Sequence, residues 1–172
     1  MREDAGMRYA FPSGIRRAAS RSTHSAMLDH TGIFVSDLAR SRQFYAAVLG
    51  ALGYAVRKDV PQAVGFGDNI PGDDADPGGD FWLIEGGPAT PRIHVAFRAP
   101  DRAAVDRFYA AAIAAGGRDN GRPGICPEYH PHYYAGFVFD PDGYNIEAVC
   151  HRPEGRRAAA PGGECRRQNG EW

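Results

Sequence analysis

Apolar positions along this chain alternate with a period of two, then recur every three to four residues, and the whole succession occurs twice. Over residues 29–35, Thr31, Ile33 and Val35 alternate with His30, Gly32 and Phe34, which predicts a strand with one apolar face for a helix to cover. Leu38, Tyr45, Val48, Leu49 and Leu52 then recur at helical spacing. Ser36 and Asp37 offer N-cap oxygens, and Gly50 and Gly53 stop the helix. Strands are predicted at 54–58, 63–66 and 80–86, with a Gly/Asp/Pro loop over 67–79. The second round opens with a strand at 92–98, in which Ile93, Val95 and Phe97 face opposite to His94 and Ala96. Asp101 caps a helix carrying Val105, Phe108, Tyr109, Ala112 and Ile113, and Gly116 and Gly117 end it. A polar loop over 120–134 leads into a strand at 133–139. The turn Asp140, Pro141, Asp142, Gly143 and a last strand at 144–150 close the round.

The two rounds align at an offset of 64 residues. His30 then matches His94, Asp37 matches Asp101, Phe44 matches Phe108, Tyr45 matches Tyr109 and Gly53 matches Gly117. A fixed-period repeat dictates architecture, and two copies predict a pseudo-twofold domain rather than a solenoid. Each module reads strand, helix, three strands, so the expectation is an α+β domain of eight strands and two helices. Module one spans 27–90 and module two spans 91–151. Residues 1–26, rich in Arg and Ser without apolar periodicity, are expected to be a flexible arm or to precede a natural start at Met27. Residues 152–172, rich in Gly, Pro and Arg, are expected to be a disordered tail.

Charge changes this picture little. With 20 basic and 21 acidic residues, nothing pulls the chain toward nucleic acid or a membrane surface. No stretch approaches the roughly 18 consecutive apolar residues of a span. Cys126, Cys150 and Cys165 are odd in number and lack CxxC spacing, so neither a disulfide framework nor a zinc knuckle is indicated. Reduced thiols and a cytoplasmic location are the expectation.

Chemistry concentrates on one face. His30 and His94 lie opposite the apolar faces of their strands. Glu147 lies opposite Ile146, Ala148 and Cys150, an unusual place for a carboxylate. Two further groups stand out in the polar loop. His130 is a candidate general acid or base, and Tyr134 is a candidate phenolic donor to an oxyanion. Tyr134 is assigned to the same face as Gly136 and Val138, and Phe34 and Phe81 are expected beside it in the lining of the site.

The segments LDHTGIFVSDLARSRQFYAAVLGALGY, RIHVAFRAPDRAAVDRFYAAAIAAGG and FVFDPDGYNIEAV together resemble the vicinal oxygen chelate superfamily, which includes glyoxalase I, extradiol dioxygenases, fosfomycin-resistance transferases and bleomycin-binding proteins. The resemblance implies paired βαβββ modules forming a half-open, eight-stranded cup, with helices on its outer face and one divalent metal (Fe, Mn, Zn or Ni) on its concave side. By position, His30, His94 and Glu147 stand where that family places metal ligands. Sliding Glu147 back by 64 lands on Leu83, where glyoxalase-like members supply a second carboxylate, with Glu85 as a substitute two residues on. Leu83 there would leave two His and one carboxylate, a set that fits non-haem Fe(II) or Mn(II). Two functions are compatible with this. One is a metal-dependent dioxygenase or glyoxalase-type lyase acting on a small substrate that chelates through neighbouring oxygens. The other is a non-catalytic small-molecule or antibiotic-binding resistance protein. A homodimer is expected in either case, with the modules pairing within a chain or across the dimer.

Overall fold

The computed structural model describes residues 28–68 and 77–153. The expected arm at 1–26, the tail beyond 153 and most of the loop at 67–79 lie outside the described residues. Module one runs β1 (Thr31–Val35), α1 (Leu38–Gly50), β2 (Tyr54–Val60), β3 (Ala63–Asp68) and β4 (Phe81–Glu85). Module two runs β5 (His94–Arg98), α2 (Arg102–Ala114), β6 (Arg118–Ile125), β7 (Tyr134–Phe139) and β8 (Asn145–Cys150). Each module forms one open four-stranded sheet, in the orders β1-β4-β3-β2 and β5-β8-β7-β6. In both, the first and last strands pair in parallel and the other neighbours are antiparallel. The repeated α+β architecture expected from the pattern is therefore present.

Helix caps follow the sequence. Asp37 accepts from the Arg40 N–H at 2.9 Å and Asp101 from the Ala104 N–H at 2.7 Å, each satisfying a first-turn donor that the helix itself leaves free. Past the helix ends, Gly53 and Gly116 take φ of +95° and +92°, a conformation that a side chain disfavours.

One apolar cluster joins the helix-covered faces of both sheets. Ile33, Val35, Phe66 and Leu83 meet Phe44, Tyr45, Val48 and Leu49 of α1, while Ile146, Ala148 and Cys150 meet Val105, Phe108 and Ala112 of α2. Full burial of each large side chain contributes about 1.5–3 kcal/mol. Phe81 belongs to this core, edge-on to Phe97 at 5.0 Å, yet at the start of β4 it also lines the cavity that His30 and His94 share.

Polar contacts clamp module two's β7–β8 turn onto module one. The buried Tyr45 hydroxyl donates to Asp140 at 2.9 Å. Asp142 accepts from the Ser36 N–H at 2.9 Å and pairs with Arg40 at 2.7 Å. Tyr144 donates to the Phe34 carbonyl and accepts from the Ala89 N–H, both at 2.8 Å, tying the linker between modules to the end of β1.

Two sequence expectations fail here. The polar loop at 120–134 contains most of β6, whose pairing with β7 is interrupted by register shifts around Gly121 and Gly124. Gly and Pro at those positions erase the alternation that marks a strand. Cys126 is disulfide-bonded rather than a reduced thiol, whereas Cys150 is free and buried.

Candidate functional site

The faces opposite the core carry the candidate chemistry, and β-register decides which residues share them. In module two, Ala96 pairs with Glu147 on one side and Phe137 pairs with it on the other. His94, two residues before Ala96, therefore shares that face. Glu147 is fully buried and sits against a small second cluster of Ala135, Phe137, Val149 and Cys126, with Tyr133 packed alongside. A carboxylate in such surroundings requires partners for both oxygens. It has them: Oε2 lies 3.0 Å from His94 Nε2, and Oε1 accepts from the Tyr133 hydroxyl at 2.6 Å.

The His94 ring is oriented from its other side. Nδ1 lies 3.1 Å from the Asn145 carbonyl oxygen. A carbonyl only accepts, so Nδ1 carries the proton and Nε2 of a neutral ring presents its lone pair to Glu147. Two acceptors at 3.0 Å require a cation between them, either a proton on the ring or a metal ion. A backbone carbonyl on the distal nitrogen is also the usual support for a metal-binding imidazole. Two ligands at about 2.1 Å from a metal on adjacent corners of an octahedron stand about 3.0 Å apart, so this pair fits a metal ion.

His30 belongs to module one. Its side chain is 60% exposed and contacts Asp29 at 2.6 Å. With His94 it lines a cavity of about 350 Å³ at the starts of β1 and β5. Among the described residues, no group of three or more His, Cys, Asp or Glu is placed to hold a metal. His94 and Glu147 are in direct contact, and His30 does not join them in a group of that kind.

Register also corrects the fourth position. Gly32, the repeat partner of Ala96, pairs with Trp82, so Trp82 occupies the place of Glu147 in module one. The offset is 65, not 64, in the last strand. Leu83 pairs with Ile33 and is fully buried in the core, and Glu85 shares its parity at the exposed end of β4. Neither is a ligand position. Trp82, anchored by its indole N–H to the Gly79 carbonyl at 3.0 Å, instead joins His30, Gly32 and Ile84 around a shallow hollow. Phe34, 49% exposed, shares that face by parity.

Tyr134 is likewise corrected. It belongs to the core cluster, and its hydroxyl donates to Asp106 of α2 at 2.8 Å. The even positions of β7 face the helix, as Gly136 shows: a Cβ there would meet Val105 at 3.5 Å. The residue facing Glu147 is Tyr133, which the sequence reading passed over. His130 lies in the exposed turn before β7, where Nδ1 accepts from the His132 N–H at 3.1 Å and the ring packs near His132 and His151. Its carbonyl accepts from the N–H of Tyr133, the residue that contacts Glu147, at 2.9 Å.

Comparison with known proteins agrees with this geometry. Residues 27–148 match the Glyoxalase/Bleomycin resistance protein/Dioxygenase superfamily. A glyoxalase/bleomycin resistance protein from Albidiferax ferrireducens T118 is 30% identical with a TM-score of 0.61, covering 72% of this chain and 98% of its own. A glyoxalase/bleomycin resistance protein/dioxygenase family enzyme from Burkholderia phytofirmans PsJN is 19% identical with a TM-score of 0.53, covering 72% and 98%. Lactoylglutathione lyase from Agrobacterium tumefaciens is 22% identical with a TM-score of 0.51, covering 73% and 92%. The last two likenesses establish the fold alone. No curated protein matches the sequence, and among the described residues no helix is long and apolar enough to cross a membrane. From the match over 27–148 together with the 30% identical structure, the chain belongs to the glyoxalase/bleomycin resistance protein/dioxygenase superfamily, the group its repeated segments resemble as vicinal oxygen chelate proteins.

Proposed function

We propose that this chain is a metal-dependent enzyme acting on a small substrate that binds one divalent ion (Fe, Mn, Zn or Ni) through neighbouring oxygens, by ring-cleaving dioxygenation or glyoxalase-type isomerisation. The observation that carries the proposal is the buried pair of His94 Nε2 and Glu147 Oε2 at 3.0 Å, with Nδ1 committed to the Asn145 carbonyl. A purely structural role would be filled at lower cost by apolar side chains. When bound, the metal would supply Lewis acidity toward the substrate oxygens.

This chain's residues supply the setting. His94 and Glu147 hold the ion, and Tyr133 fixes Glu147. Ala135, Phe137 and Val149 exclude water from the floor of the site. Trp82, Phe34 and Ile84 form an apolar wall suited to an aromatic or apolar ligand. The exposed His30 completes the set in a homodimer, one copy contributing His30 and the other contributing His94 and Glu147.

Metal analysis of protein purified without chelator tests the reading. Stoichiometric metal in the wild type, lost in His94→Ala and Glu147→Gln, is expected. Protein that takes up no Fe, Mn, Zn or Ni on addition refutes it and favours the non-catalytic binding protein. Mixing His30→Ala with His94→Ala chains tests the shared site. Hybrid dimers recover one metal per two chains if the ligands come from different copies, and none if they come from one.

A further inference from the structure

We infer that Tyr133 is a positioning residue that sets the metal affinity of the site by fixing the Glu147 carboxylate. The inference rests on the metal reading above, and it extends that reading to a residue outside the ligand set. A glutamate carboxylate turns easily about its last torsion, where the energy wells are broad. Glu147 Oε2 can stay aimed at His94 only if the other oxygen is held. The short Tyr133 hydrogen bond at 2.6 Å to Oε1 does this.

Tyr133 is itself held on all sides. Its carbonyl accepts from the Cys126 N–H at 2.8 Å, extending the β6–β7 ladder, and its N–H donates to the His130 carbonyl at 2.9 Å. Its ring lies 5.0 Å from Tyr129 and 5.0 Å from His151, edge-on to the imidazole at 83°. The hairpin tip at 126–133 is thus a rigid mount for one hydroxyl. Tyr134, adjacent in sequence, points through the sheet to Asp106 and serves as a built-in control.

Outer-sphere partners of ligating groups typically control metal affinity by about 10–100-fold. Mn²⁺ titration by calorimetry of the wild type, Tyr133→Phe, Tyr134→Phe and Glu147→Gln tests the inference. Tyr133→Phe is expected to weaken Mn²⁺ binding by about 10–100-fold, and Tyr134→Phe to leave it unchanged. With Co²⁺ as the probe, the visible absorption of Tyr133→Phe shifts from that of the wild type, a change that simple loss of packing would not produce. Unaltered Mn²⁺ affinity in Tyr133→Phe, alongside loss in Glu147→Gln, overturns the inference and leaves the metal reading standing. Failure of the wild type to bind Mn²⁺ or Co²⁺, or binding that survives Glu147→Gln, overturns both.

Discussion

Replacing Tyr45 by Phe deletes one oxygen from the middle of the protein and nothing else. The ring is fully buried between Phe44 at 5.3 Å and Phe81 at 5.4 Å, so Phe keeps the packing. What is lost is the 2.9 Å hydrogen bond to Asp140 Oδ2, which joins α1 of one module to the β7–β8 turn of the other. Asp140 retains the Asp142 and Tyr144 N–H groups, but both of these bond Oδ1. Oδ2 is left in a buried place without this donor. Hydrogen bonds to charged groups contribute about 1.5–3 kcal/mol, so a loss of about 2 kcal/mol is expected. For a folded region of this size, that lowers Tm by about 6–10 °C. The loss should also depend on pH. Burial first, and then the Asp140 charge, hold the Tyr45 phenol well above its ordinary value, so it stays a donor throughout the working range. Burial raises the Asp140 carboxyl, and the Tyr45 bond is among the contacts that oppose the rise. Removing it penalises the ionised carboxylate, so the cost is greatest near neutrality and shrinks as Asp140 takes up a proton. Urea denaturation of both proteins between pH 3 and 7 measures it. A difference under about 0.5 kcal/mol at pH 7, the level of an ordinary surface change, would show that this clamp does not hold the modules together.

Three other substitutions test two separate points. Leu83→Glu buries a charge in the core and should abolish folding, whereas Trp82→Glu places a carboxylate on the half-exposed opposite face and should leave a folded protein by circular dichroism; the reverse outcome would restore the 64-residue register. Asp140→Asn removes a group whose folded pKa is raised. Native protein then binds more protons than unfolded protein between the two values, so this contribution is present below the ordinary aspartate pKa and lost as pH rises through the raised one. Wild type minus variant stability, followed by urea denaturation, should fall with increasing pH; a flat or rising difference refutes the shift.

Much of this was legible from residue order. The caps at Asp37 and Asp101, the strand faces of His94 and Glu147, and the two-module plan all follow from periodicity and the internal repeat. The failures share one physical cause. In a strand, a displacement of one residue moves a side chain through the sheet, so the ruler of 64, sound as far as the helices, selected Leu83 where the fold has Trp82. Tyr134 and Tyr133 differ by the same single step. Strand β6 was hidden because its Gly and Pro residues carry no alternation, and its register shifts keep it paired without one. How His30 lies relative to the His94 and Glu147 pair is beyond periodicity, because it depends on how the modules pack.

The clamp around the β7–β8 turn makes the two halves of the duplicated molecule unequal. Ser36, Arg40 and Tyr45 of module one donate to Asp140 and Asp142 of module two, while Tyr144 of module two donates back to the Phe34 carbonyl of module one. At the 64-residue offset, Ser36 and Arg40 have become Pro100 and Ala104, which can offer no side-chain donor. The Ser36 and Arg40 donations to Asp142 therefore have no side-chain counterpart at the matching positions of module two, although Tyr109 keeps the hydroxyl of Tyr45. The duplicated molecule is therefore nearly symmetrical in fold but not in the polar contacts that join its halves.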